Sequence, residues 1–187
     1  MKFLVKLFLS VFLVFTVPLS VGAQDDVIVT KQYDDGGMYE GTFKNGLQHG
    51  IGTYRLPNGY EYSGEWVDGE IFGIGVAKFP NGSVYEGNFI KGKPEGSGKI
   101  IFADGGTYEG SWLDGKITGQ GVAVYANGSR FKGGFLEAMH HGQGVMTNPD
   151  GYVYDGDWVN EVKEGLAKIT YPDGSEYSRS AVSYTHL

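Results

Sequence analysis

YEGSWLDGKITGQGVAVYANG, residues 108–128, is the stretch on which the rest of the chain is patterned. Tyr108 opens it, Gly110 and Trp112 follow at two-residue steps, Gly119 and Gly121 lie two apart, and Asn127-Gly128 closes it. Steps of two place side chains on one face of a β-strand. At intervals of 23 residues the opening aromatic returns as Tyr39, Tyr62, Tyr85, Phe131 and Tyr154, and it begins again at Tyr177, with no insertion anywhere.

The positions inside the unit return with it. A second aromatic stands four residues after the first, as Phe43, Trp66, Phe89, Trp112, Phe135 and Trp158. The paired glycines recur from Gly50 and Gly52 to Gly142 and Gly144, then as Gly165 with Ala167. Each unit is thus a β-hairpin, and turns such as Pro57-Asn58-Gly59 and Ala126-Asn127-Gly128 join one unit to the next. Proline presets φ, Asn or Asp tolerates turn geometry, and glycine supplies a positive φ. If the rings of the first strand and the glycines of the second share a face, each ring lies flat over backbone that has no side chain. Such glycines weaken a strand, and covering rings offset that loss. The predicted fold is all-β: an elongated single-layer antiparallel sheet of stacked 23-residue β-hairpins. Its twelve strands span roughly 58 Å at about 4.8 Å each.

The unit resembles the MORN (membrane occupation and recognition nexus) repeat, whose hairpins read Tyr-x-Gly-x-Trp, then Gly, then Gly-x-Gly and Asp-Gly. The likeness runs from Val27 to Tyr177 and implies a general role in lipid binding, protein scaffolding or dimerisation. The chain departs from the pattern in two places. The loop glycine seen as Gly46, Gly69, Gly92 and Gly115 becomes Ala138 and then Glu161, so those two hairpins are expected to turn differently. Phe131 replaces the opening tyrosine, and Asn148 stands where Phe102 and Tyr125 are aromatic, leaving a polar gap expected to free the nearby rings.

Around this array the chain divides simply. Residues 1–23 read as a signal peptide, with Lys2 and Lys6 ahead of a mostly apolar run from Phe3 to Val17, then Pro18 and a small-residue exit at Val21-Gly22-Ala23. The competing reading is a membrane anchor formed by residues 3–23, since the apolar run approaches the roughly 20 residues that span a bilayer. Residues 24–38 form a polar lead and a capping strand over Val27 to Tyr33. Residues 39–176 hold six repeats, and 177–180 start a seventh. The tail 181–187 fits no repeat; Val-Ser-Tyr-Thr-His-Leu matches the translation of a transposase sequencing adapter, so the natural protein is expected to continue beyond Ser180.

The whole chain has 187 residues, a formal net charge of −7 and no cysteine. Removing residues 1–23 takes two lysines and no acid, leaving 13 basic against 22 acidic side chains and a charge of −9. Nucleic acid is therefore not an expected partner, and an acidic bilayer is a poor one. Without disulfides, stability has to come from burial and strand pairing.

Candidate chemistry is sparse. There is no Gly-x-Ser-x-Gly, no Cys nucleophile and no phosphate-cradling loop, so no catalytic residue and no cofactor are expected. His49 and His141 share one repeat position, and only the His140-His141-Glu164 neighbourhood raises the idea of a metal, with too few ligands to commit to one. Glu40, Glu65, Glu86, Glu109, Asp155 and Asp157 form an acidic ladder opposite the rings, with Lys78, Lys99 and Lys168 as cross-strand partners. Asn81-Gly82-Ser83 and Asn127-Gly128-Ser129 match a glycosylation sequon but coincide with ordinary turns. The aromatic face is the candidate binding surface, centred on Tyr108, Trp112, Phe131, Phe135, His140, His141, Tyr154 and Trp158.

Two readings of function follow. In the first, the chain is a non-enzymatic scaffold or binding module exported to the periplasm, cell envelope or extracellular space. Its partner is a protein, a glycan or a membrane-associated component, lipid surfaces included. In the second, the repeats are the accessory part of a larger enzyme, similar to the MORN-bearing lipid kinases or methyltransferases. An open sheet also exposes edges, so homo-oligomers formed by edge-strand pairing are expected.

Overall fold

A computed structural model describes residues 27–181, and for residues 179–181 only the backbone. The signal or anchor segment and residues 182–187 lie outside that range. The described residues form one sheet of 14 strands whose spatial order is their sequence order, every neighbour antiparallel. The all-β single-layer expectation is met.

After the short β1 (Val29–Gln32), seven-residue and nine-residue strands alternate. The shorter ones are β2 (Met38–Lys44), β4 (Glu61–Val67), β6 (Val84–Ile90), β8 (Thr107–Leu113), β10 (Arg130–Leu136) and β12 (Val153–Val159). Their hairpin partners are β3 (Leu47–Arg55), β5 (Glu70–Lys78), β7 (Lys93–Ile101), β9 (Lys116–Val124), β11 (Met139–Thr147) and β13 (Val162–Thr170), and β14 (Glu176–Ala181) closes the series. Unequal lengths require a bulge. In the fourth unit Gly110 pairs with Gly121 and Trp112 with Ile117, so Ser111 alone faces Thr118, Gly119 and Gln120. Gly119 takes φ +64° there, a conformation open to glycine and costly for a side chain. The same shift occurs inside every hairpin, whereas pairing between units is uninterrupted, as from Gly96↔Trp112 to Ile101↔Thr107. Bulges bend the strand that carries them, so the array bends at the same place in each unit.

Two expectations need correction. The capping strand is shorter than Val27 to Tyr33 and pairs only Val29–Gln32 with Met38–Gly41, leaving the second half of β2's outer edge uncovered among the described residues. In the 23-residue frame Val27 falls where later units place Gly50, Gly73 and Gly96 at positive φ. A β-branched residue resists that conformation, and the strand begins only beyond it.

The second correction concerns the hairpin loops. Ala138 and Glu161 do not make their hairpins turn differently: Glu137 and Ala138 (φ 49° and 66°) reproduce Asp114 and Gly115 (51° and 81°), as do Asn160 and Glu161 (49° and 70°). Positive φ at both central residues defines the type I′ hairpin turn. The turn is held from outside the hairpin. Ala138 N–H donates to the Ile117 carbonyl of the preceding unit at 2.9 Å and Glu161 N–H to that of His140 at 3.1 Å, as Gly115 N–H does to Pro94.

Candidate functional site

The ring face is the core of the protein. Tyr108 points over its own Gly110 and over Gly121 across the hairpin, so closely that a Cβ on Gly121 would stand 2.5 Å from Tyr108 Oη. The rings also touch one another across units. Phe43, Tyr39, Trp66, Tyr62, Phe89, Tyr85, Trp112, Tyr108, Phe135, Phe131, Trp158 and Tyr154 form one continuous edge-to-face series, with centroids 4.9–5.7 Å apart and planes crossing at 77–86°. Each such contact adds about 0.5–1.5 kcal/mol beyond area burial.

Polar ends of the rings are satisfied by backbone. Tyr108 Oη donates to the Ser111 carbonyl at 3.1 Å, and Tyr39, Tyr62, Tyr85 and Tyr154 do the same to the bulge residue of their own units. Trp66, Trp112 and Trp158 donate Nε1–H to Gly52, Gly98 and Gly144 of the unit before. Burial pushes the Tyr39 and Tyr85 phenols up to about 12.

This geometry decides how much of the expected binding face a ligand can reach. Tyr108, Trp112, Phe131, Phe135, Tyr154 and Trp158 are between 0% and 7% exposed. Their ring surfaces are taken up by glycine backbone and neighbouring rings. The rings of the fifth and sixth units are no freer than the others. The polar gap at Asn148 is closed by Ser129, whose hydroxyl meets Asn148 Oδ1 at 3.3 Å.

Nine positions after each opening ring, across the hairpin from the second aromatic, stands the series Gln48, Ile71, Pro94, Ile117, His140 and Lys163, whose last two members lie over the opening ring of their own unit. His140 is 3% exposed and stacks on Phe131 with centroids 3.8 Å apart. Its Nε2 meets Tyr125 Oη at 2.6 Å, its backbone N–H donates to Glu161 Oε1, and its Nδ1 stands 2.8 Å from Glu161 Oε2 without hydrogen-bond alignment. Burial pulls the imidazole below its ordinary range, and the nearby Glu161 carboxylate opposes that shift. Lys163 covers Tyr154 in the next unit, its Nζ 4.5 Å from that ring centroid and 5.1 Å from that of Tyr152. Burial lowers this ammonium as well.

His140 and His141 are adjacent on β11 and so address opposite faces. The acid beside His140 is Glu161, whereas Glu164 pairs with Asp157. Among the described residues no three His, Cys, Asp or Glu side chains are grouped to hold a metal ion.

An accessible concavity lies on the face that the rings leave free. A groove of about 870 Å³ crosses β5 to β10, floored by the backbone of Gly87, Gly98, Gly110 and Gly121. Glu86, Lys99, Glu109 and Lys132 line it in one row and Asn88, Ser97, Ser111 and Gln120 in another. The acidic ladder on this face is legible in the repeat pattern but the hollow is not, because curvature comes from bulges whose direction of bend is not written in side-chain identity. The expected lysine partners also differ. Lys78 pairs with Glu61 at 3.2 Å and Lys168 with Glu176 at 2.7 Å, neither of them ladder acids. Among the described residues the four groove charges make no ion pair at all, although Lys99 lies directly across from both Glu86 and Glu109.

A family model for the MORN repeat matches residues 39–59, 62–84, 85–107, 108–130, 131–151 and 154–176. The chain belongs to the MORN repeat family. A comparison with curated proteins gives no match. Among solved structures this MORN array is similar to the SAS-4 (dCPAP) TCP domain of Drosophila melanogaster in complex with a proline-rich motif of Ana2 (dSTIL). The identity is 11% over 91% of this chain and 99% of that one, with a TM-score of 0.51. It is also similar to the G-box domain of the microcephaly protein CPAP (17% identity, 84% and 77% covered, TM-score 0.44) and to the TCP10 domain of Danio rerio CPAP (17%, 85% and 86%, 0.36). At such identities the likeness is one of fold.

Proposed function

We propose that this MORN array is a non-catalytic binding module that holds an extended segment of a protein partner in the groove on the face opposite its rings. The observation that carries this reading is the groove itself. It is an open channel with a flat glycine floor, hydrogen-bonding side chains along it and unpaired charges of both signs. Flat floors admit a backbone at close range, and rigid sheets hold their polar groups in place before binding. The similarity to a TCP domain that is in complex with a proline-rich motif supports a peptide segment over a glycan or a lipid headgroup.

The module acts outside the cytoplasm, after removal of residues 1–23. N-terminal sequencing of the secreted protein tests this part, with Gln24 as the expected first residue; retention of Met1 in the membrane fraction would favour the anchor. For the groove, a photo-crosslinking amino acid is placed at Gln120 and, as a control, at Lys91 in a hairpin loop. A protein adduct through position 120 and none through 91 is expected. Equal yields from the two sites would remove the groove from the reading.

A second reading draws on the half of β2's edge at Thr42–Lys44 that no described residue pairs, which favours self-association by strand addition. Light scattering across a wide concentration range tests it, and a monomer throughout would end it.

A further inference from the structure

Resting on the groove reading, we infer that the occupant is a polyproline II segment that places, in order from β6 to β10 and at three-residue intervals, two basic residues and then an acidic one, in either chain direction. The argument begins with pitch. A polyproline II helix rises about 3.1 Å per residue with three residues per turn, so it presents the same face every 9.3 Å or so. One MORN unit is two strands, which advances the sheet by about 9.6 Å. A segment laid across the strands along the groove therefore meets the same repeat position once per turn.

Charge then sets the order of side chains. Glu86, Glu109 and Lys132 occupy one repeat position in three successive units, each one residue after the opening aromatic, and all three are exposed. Two acids followed by a base at one-turn intervals complement two bases followed by an acid at the same intervals. Among the described residues these side chains make no ion pair, whereas some charges outside the groove are matched, as in Arg55–Glu61–Lys78 and Lys116–Glu137.

Donor balance points to the same occupant. Proline has no N–H, so a proline-rich segment brings carbonyl acceptors and few donors. Lys99, between the two acids, supplies an ammonium, Gln120 an amide and Ser97 and Ser111 hydroxyls to that bare backbone. The groove crosses six strands, about 24 Å between the outer ones, which is the length of roughly eight polyproline II residues.

Fluorescence anisotropy with four nine-residue peptides, forming three probes, on the purified secreted chain tests the proposal. The matched probe is acetyl-KPPKPPEPP-amide together with its sequence reversal, since the chain direction is open. The second probe inverts the charges as EPPEPPKPP, and the third keeps the charge order on a flexible backbone as KGSKGSEGS. Three exposed ion pairs at low salt translate into about tenfold tighter binding of the matched probe over the inverted one. A triple variant, Glu86→Lys, Glu109→Lys and Lys132→Glu, should reverse that preference, and near-ultraviolet circular dichroism of the ring series verifies that it is folded. Equal affinity for matched and inverted probes, or no binding of either, overturns the proposal. So does equal binding of the flexible probe, which would mean that polyproline II register is irrelevant. A protein cross-linked through position 120 alongside failure of every peptide would leave the binding-module reading standing and end this one alone.

Discussion

The fourth unit, from Tyr108, and the fifth, from Phe131, sit side by side in one sheet and trace the same backbone path with different side chains. In the fourth, a phenol hydroxyl fastens the opening ring to the Ser111 carbonyl, a buried Ile117 stands across from Trp112, and glycine completes the loop. In the fifth, Phe131 has no hydroxyl, the bulge residue is Gly134, a stacked His140 provides the cover and Ala138 takes the loop position. Backbone register survives all four changes because it is fixed elsewhere: by glycine pairs that admit a ring, and by loop N–H groups bonded to the preceding hairpin. What differs is how each ring is held and what stands nine residues after it, and among the described units the fifth alone stacks an imidazole on its opening ring.

The strongest way to break the shared part is to fill the space under a ring. Gly121→Val would drive a side chain into Tyr108, whose Oη and Cζ stand 2.5 and 2.6 Å from the new Cβ. About 3 kcal/mol of destabilisation is expected, at the upper end for overpacking. The sixth unit offers the contrast, because Ala167 already stands at the equivalent position, across from Gly156. Ala167→Gly should change stability by less than about 1 kcal/mol. Urea denaturation of both variants measures the difference, and similar losses would show that ring-over-glycine contact does not fix the register.

A smaller effect sharpens the loop comparison. Ala138 holds φ +66° where Gly115 holds +81°. A left-handed conformation costs a non-glycine residue about 1–2 kcal/mol, so Ala138→Gly should stabilise the protein by about 1 kcal/mol and Gly115→Ala should destabilise it by a similar amount. Opposite shifts in thermal midpoint are the expected result. Smaller again is the hydroxyl. Tyr108→Phe should lose about 1 kcal/mol, the net worth of one hydrogen bond, while Phe131→Tyr gains part of that by reaching the Gly134 carbonyl.

These differences mark where the sequence was informative. Period, hairpins, turns and the pairing of ring with glycine were legible, because each rests on residue types repeated at fixed offsets with one steric meaning. The loops at Ala138 and Glu161 were misread, since side-chain propensity argued for another turn and a bond from the neighbouring hairpin overrode it. In sequence His140 reads as a residue with ligand chemistry. Its place over Phe131 follows from comparing position nine across units, where Gln, Ile, Pro, Ile, His and Lys share nothing but location. An aromatic stripe reads in sequence as a binding face, yet in a single-layer sheet the same rings make up most of the core of the described residues. The groove lies on the face whose polar pattern reads as a solvated one.

The last difference between the two units is one of pH. Tyr125 and Glu161 are the titratable groups facing His140, with Phe131, Phe135 and Trp158 closing the other sides. Burial holds the folded imidazole's pKa below its ordinary value, so the unfolded chain takes up a proton first as pH falls through about 6.5. Stability is then full above that pH and declines below it, until the folded value is also passed. The slope cannot exceed about 1.4 kcal/mol per pH unit for one proton. His140→Phe keeps a ring over Phe131 and removes the proton, so its urea midpoint should fall less than the wild type's between pH 7.5 and 5.5. Glu161→Gln removes the carboxylate that opposes the shift and should steepen the decline. Parallel pH profiles for all three proteins would mean that His140 titrates as freely in the fold as in the unfolded chain, and the fifth unit would then differ from the fourth in packing alone.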